Sequence, residues 1–177
     1  MYLPARNDSE EWFGIVIAIP EPWLSEITKM RLDLGDSAAE QVPPHVTIMP
    51  PIALPSDDRE QIVEHLRKVV RDHRPFRISL QGSGTFMPVS PVVYLNVDKG
   101  ASQCSALAED VRSGPLDYRL RFPYHPHVTL AHNVPEDLLQ RGLEDGADFE
   151  ASWMVSGVRL DRIERNGSYV SAAIFDF

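Results

Sequence analysis

Pro44-His45-Val46-Thr47 recurs 82 residues later as Pro126-His127-Val128-Thr129, and each copy is followed by an apolar residue, Ile48 or Leu130. With six histidines and four threonines in 177 residues, chance placement gives about 0.14 His-x-Thr triplets, so two in one shared context are a signal. Side chains alternate along a strand, which puts each His and its Thr on one face, about 6.5–7 Å apart, and the apolar pair on the other. Two such strands side by side about a pseudo-twofold axis would bring two imidazoles and two hydroxyls to one cleft. A neutral imidazole there can take a proton from an attacking oxygen while a charged one gives a proton to the leaving oxygen. The threonine hydroxyls can hold non-bridging phosphate oxygens in line. The chemistry these residue types suit is phosphoester cleavage with neither metal nor cofactor. The bland alternative, two ordinary strand histidines bonded to neighbours, suits a single triplet better than a matched pair.

The surrounding elements read as an α+β chain. Phe13 to Ile19 is a β-branched run closed by Pro20 and predicts a buried central strand. Pro22 suits a first helical turn, and Leu24, Ile27, Met30/Arg31 and Leu34 recur at helical spacing until Gly35. His45 to Met49 reads as a strand; Ser56-Asp57-Asp58 reads as the N-cap of a helix carrying Ile62, Leu66, Val69 and Val70 to about Asp72. Strands follow at Phe76 to Phe86, with a bend or bulge at Gly82 and Gly84, and at Val92 to Asp98. A helix from Ala101 to Ser113 buries Cys104, Leu107, Ala108 and Val111. His127 to Ala131 is the second motif strand, and a short helix lies near Pro135 to Leu143. Phe149 to Ile163 and Ser168 to Phe177 form a closing hairpin about Asn166-Gly167. The length predicts one domain, residues 1–177, with lobes of about 1–98 and 99–177 that exchange strands.

The net charge of −9 is the wrong sign for a surface that grips long nucleic acid, which points to a small or locally held substrate. Cys104 stands alone, so no internal disulfide forms and a cytoplasmic setting fits. No run approaches the roughly 20 apolar residues of a membrane span, and the N-terminus lacks a signal peptide's pattern. A monomer is the expected state.

The two Pro-His-Val-Thr-(Ile/Leu) segments resemble the signature of the two-histidine phosphoesterase superfamily, in its LigT-like or 2′-5′ RNA ligase branch. The resemblance extends in element order over nearly the whole chain. It implies a bilobal, pseudo-twofold-symmetric fold, with antiparallel sheets lining a central groove and helices outside. It also implies cleavage of 2′,3′-cyclic phosphates of nucleotides or RNA ends, or of 2′-5′ linkages, some members joining RNA ends in reverse. His45, Thr47, His127 and Thr129 match the motif one for one; the symmetry of the two lobes leaves acid and base exchangeable between the histidines, and the resemblance favours His127 as base and His45 as acid. Where similar members often carry an aromatic residue after the first motif this chain has Pro50-Pro51, and where they carry Arg three residues after the second Thr it has His132. By strict alternation His132 reaches the cleft only if the strand ends or bulges after Leu130.

Further candidates carry two readings each. Phe86 and Tyr124 stack on a base or pack in the core. Arg119 and Arg121, on a possible strand, offer a phosphate fork or a solvated face. A zinc reading of His125, His127 and His132 lacks a Cys or carboxylate at ligand spacing and leaves the duplicated Thr unexplained. His65 and His73 read as surface residues. A nucleotide- or RNA-binding module without turnover is the alternative of another class, and the intact quartet counts against it.

Overall fold

The structure, a computed structural model, describes residues 3–177. Eight strands and four α-helices follow one another along it: β1 Glu10–Ala18, α1 Trp23–Asp33, β2 His45–Pro55, α2 Arg59–Asp72, β3 Phe76–Thr85, β4 Val92–Val97, α3 Ala101–Val111, β5 His127–His132, α4 Glu136–Asp145, β6 Glu150–Val155, β7 Gly157–Ile163 and β8 Tyr169–Asp176. All strand pairs are antiparallel, in the order β6-β3-β4-β5-β2-β1-β7-β8. The first run, Phe13 to Ile17, is buried on both faces as its continuous apolar sequence requires. It pairs with β2 on one side and β7 on the other.

Two four-stranded halves meet at a single paired position, Val46 opposite Val128. They do not follow a cut at residue 98: β3 and β4 belong with β5 and β6, while β1 and β2 belong with β7 and β8. The crossing is made between β6 and β7. The segment expected as one strand from Phe149 to Ile163 is two, parted by Ser156 alone. Six strand places would separate β6 from β7 by about 29 Å in a flat sheet, whereas two Cα steps reach about 7.6 Å. The sheet therefore curls until its β6 edge comes round to β7. Gly157 sits at this turn, where a Cβ would collide with the Phe175 carbonyl oxygen.

One core cluster runs through both halves, and the helix faces in it are those expected from spacing: Ile27 and Leu34 around α1, Ile62, Leu66, Val69 and Val70 on α2, and Cys104, Leu107, Ala108 and Val111 on α3. Three local expectations are corrected. Ser56–Asp58 forms a 3-10 turn, and Asp58 leads into α2 without a side-chain cap bond. β2 continues through Pro50-Pro51 to Pro55, because those residues fall at the register shift opposite Gly14 and outside the one position where β2 meets β5. His65 and His73 are half-buried rather than free on the surface, with His65 Nε2 3.0 Å from the Val111 carbonyl oxygen and His73 Nε2 2.9 Å from Asp110. The closing hairpin holds, with Gly167 at φ 87°. Among the described residues no helix is long and apolar enough to cross a membrane.

Candidate active site

Val46, Ile48, Val128 and Leu130 are all fully buried, so the apolar half of each motif faces the core. The polar half faces a groove of about 610 Å³ lined by His45, Thr47, His127 and Thr129 together. The pairing of Val46 with Val128 supplies the pseudo-twofold relation. In an antiparallel register the residue before one valine lies on the side of the residue after the other, which sets His45 towards Thr129 and Thr47 towards His127.

Both imidazoles are oriented in the same way. His45 Nδ1 lies 2.7 Å from the Pro43 carbonyl oxygen, and His127 Nδ1 lies 2.7 Å from that of His125. A carbonyl only accepts, so each Nδ1 carries the hydrogen and each Nε2 of the neutral ring keeps its lone pair. The surroundings differ. His45 stacks on Tyr169 with centroids 5.3 Å apart, whereas His127 meets Phe86 edge-on at 5.0 Å and Tyr94 at 5.3 Å.

Burial lowers the pKa of His45 to about 4, with Arg31, Arg159 and His127 adding to the effect and the Pro43 bond opposing it. Burial also lowers that of His127, against the bond to His125, whose ring adds to the lowering. In the empty groove at neutral pH both rings are uncharged proton acceptors. An anion bound between them opposes the shift and readies one ring as a donor.

The remaining predicted residues divide. Phe86 lines the groove, its ring 4.3 Å from Tyr94. His132 lines it too, because β5 bulges: Tyr94 pairs with Thr129 and Val93 with Ala131, leaving Leu130 as the extra residue. Its Nδ1 is buried without a hydrogen-bond partner, 3.9 Å from Asp36 Oδ2, and burial lowers its pKa.

Tyr124 lies outside the groove lining and packs against the core, with burial raising its pKa. Its hydroxyl donates to the Thr47 carbonyl oxygen at 2.8 Å, which ties the approach to β5 onto β2. Tyr124→Phe should cost about 0.5–1.5 kcal/mol of stability. It should also reduce turnover by loosening that tie, measured as kcat beside the urea midpoint. Arg121 is exposed and outside the groove, and no strand forms at Arg119 or Arg121.

Sequence reasoning missed Arg31, Asp36 and Tyr169, all of which line the groove. Arg31 is 3% and Asp36 5% exposed. Arg31 donates to Asp36 Oδ2 through Nε at 3.0 Å and Nη2 at 2.7 Å, and through Nη1 to the Val42 carbonyl oxygen at 2.6 Å. The signal was present: an arginine on the apolar stripe of α1, between Ile27 and Leu34, needs a buried partner. A second pair lies on β7, where Arg159 donates to fully buried Asp161 at 2.6 and 2.8 Å.

The model of the 2′-5′ RNA ligase superfamily matches residues 19–167. A Bacillus licheniformis protein, named provisionally as a phosphoesterase, is 27% identical over 125 residues, 71% of this chain and 73% of its own. Two solved proteins share the fold at low identity. TT0787 of Thermus thermophilus has a TM-score of 0.64 at 20% identity, covering 93% of this chain and 97% of its own. Escherichia coli LigT complexed with 3′-AMP has a TM-score of 0.66 at 16% identity, covering 95% and 98%. LigT is also known complexed with NADP+ and with ATP.

Proposed function

The chain belongs to the 2′-5′ RNA ligase superfamily, and on that premise we propose that it is a metal-independent phosphodiesterase hydrolysing 2′,3′-cyclic phosphates of nucleotides or RNA ends. The observation that carries the reading is the arrangement about Val46 and Val128, where two imidazoles, each with its Nε2 lone pair available, share one groove with two threonines. The half-sheets act as two lobes of one monomeric domain. Nucleotide complexes of LigT support a groove that accepts a nucleoside phosphate.

In the reaction the phosphate enters between the rings, and its negative charge favours a proton on one of them. The neutral ring, His127, takes a proton from water at Nε2 as the water oxygen bonds to phosphorus. His45 gives its Nε2 proton to the ribose oxygen as the P–O bond breaks. The product is a ribose phosphomonoester, and the two rings have exchanged protonation states. Thr47 and Thr129 hydroxyls donate to the non-bridging oxygens, where charge builds. Attack by a 5′-hydroxyl on the cyclic phosphate, in place of water, with the bond to the 3′-oxygen breaking and that oxygen taking the proton from the charged ring, would form a 2′-5′ linkage at the same groove. Cys104, buried with its thiol pushed up to about 12, takes no part, and a reducing cytoplasm suits it.

The test is a side-by-side assay in chelator of the four nucleoside 2′,3′-cyclic monophosphates, 2′-5′-linked dinucleotides, and RNA ends offered for joining. Turnover of the cyclic phosphates to one monoester isomer supports the reading. Action on 2′-5′ linkages alone would replace it with the linkage enzyme. Nucleotide binding without any turnover would replace it with a binding module.

A further inference from the structure

Residues 117–126 run without regular secondary structure from the 3-10 turn Gly114–Leu116 to β5. In a chain of net charge −9, this stretch ends in a cationic, aromatic rim. Arg119 and Arg121 are exposed and, among the described residues, neither makes an ion pair. Arg71, Arg74 and Arg77 are likewise exposed without an ion pair among the described residues, so what distinguishes Arg119 and Arg121 is the exposed aromatic rings beside them. Phe122 is 55% exposed and Tyr118 37%. The Arg121 guanidinium lies over the Phe122 ring, 5.2 Å from its centroid.

The segment is fastened to the candidate active site at its far end. The Tyr124 hydroxyl bonds the Thr47 carbonyl, and the His125 carbonyl accepts the His127 Nδ1 hydrogen. Arg121, six residues before His127, lies within about 22 Å of it even along an extended chain. Unpaired guanidinium groups beside exposed aromatic rings are what a single-stranded nucleic acid meets, since bases stack on rings and cations neutralise phosphates.

We propose that residues 118–122 dock the RNA chain that leads into the groove, Phe122 and Tyr118 stacking unpaired bases while Arg119 and Arg121 meet backbone phosphates. This rests on reading the groove as a site for terminal 2′,3′-cyclic phosphates. It allows an acidic chain to take an RNA substrate, because two cations and two exposed rings hold the strand locally whatever the net charge of −9. A mononucleotide has no strand to place there.

The experiment compares a short single-stranded RNA ending in a 2′,3′-cyclic phosphate with the matching cyclic mononucleotide, for the wild type and Arg119→Ala/Phe122→Ala. The double variant should lose about 10- to 100-fold in kcat/KM on the RNA and stay within about twofold on the mononucleotide. The slope of log kcat/KM for RNA against log salt should fall from about −1.4 to about −0.7 with one phosphate contact gone. Equal losses on both substrates, no loss on RNA, or a wild type indifferent to the strand would overturn the proposal. If the wild type turned over neither substrate the phosphodiesterase reading would fail separately. Anisotropy of the labelled RNA would then decide, with tenfold weaker binding by the variant expected and equal binding overturning the strip.

Discussion

Alanine at His45 or at His127 should lower turnover of a 2′,3′-cyclic nucleotide by about 10²- to 10⁴-fold while the fold survives. Each ring enters the proposed reaction through Nε2, since Nδ1 is engaged with a backbone carbonyl at 2.7 Å. The cost to stability should be small by comparison. Both side chains are only half-buried, and their charged forms are disfavoured in the fold, so removing them strands no partner ion. The double variant should be little worse than either single one, because half a proton relay moves no proton. Kinetics beside a urea midpoint check this; wild-type turnover in either single variant contradicts it.

Arg31→Met should be the most destabilising single change near the groove, by about 3–5 kcal/mol. Arg31 and Asp36 are 3% and 5% exposed, and two of the guanidinium's bonds go to one carboxylate oxygen. Without Arg31 that oxygen keeps only His132 Nδ1 in view, 3.9 Å away, and a buried carboxylate without a cation is costly. Arg31→Met/Asp36→Leu should recover most of the loss, because no unpaired charge then remains. Urea unfolding of the two variants measures it. A double variant as unstable as the single one would show that packing of the Arg31 stem, rather than charge pairing, is what matters.

Much of this was legible in the sequence for reasons of periodicity. The run Phe13 to Ile19 is short, rich in β-branched residues and closed by Pro20, which suits a strand covered on both faces, and Phe13 to Ile17 is buried in this way. Each His-x-Thr alternates against buried Val and Ile or Leu, so the face of each catalytic candidate followed from the period of two. His132 shows where that rule bends: one extra residue at Leu130 reverses the face, and nothing local in Leu-Ala-His announces a bulge.

The break at Ser156 was invisible for a different reason. Strands β6 and β7 read as one extended segment because the chain stays extended while it leaves one half-sheet for the other, a change of partners rather than of conformation. Arg31 falls on the helical stripe with Ile27 and Leu34, and the partner of its charge, Asp36, lies beyond the helix, where the period of 3.6 says nothing. Tyr169 follows the Asn166-Gly167 turn and reaches His45 only through tertiary folding, so no spacing along the chain could have joined them.

The central claim is that one neutral and one charged imidazole act together, and the pH dependence of kcat/KM for a cyclic mononucleotide in chelator tests it most directly. This quantity reports the free enzyme, in which His45 titrates at about 4 and His127 below its ordinary 6.5. The result expected is a bell with its maximum between about pH 4 and 6.5, whichever ring is the base, and a kcat profile displaced to higher pH because bound phosphate favours both protonated rings. A kcat/KM that still rises above pH 7, or that vanishes in chelator, would contradict the two-histidine account.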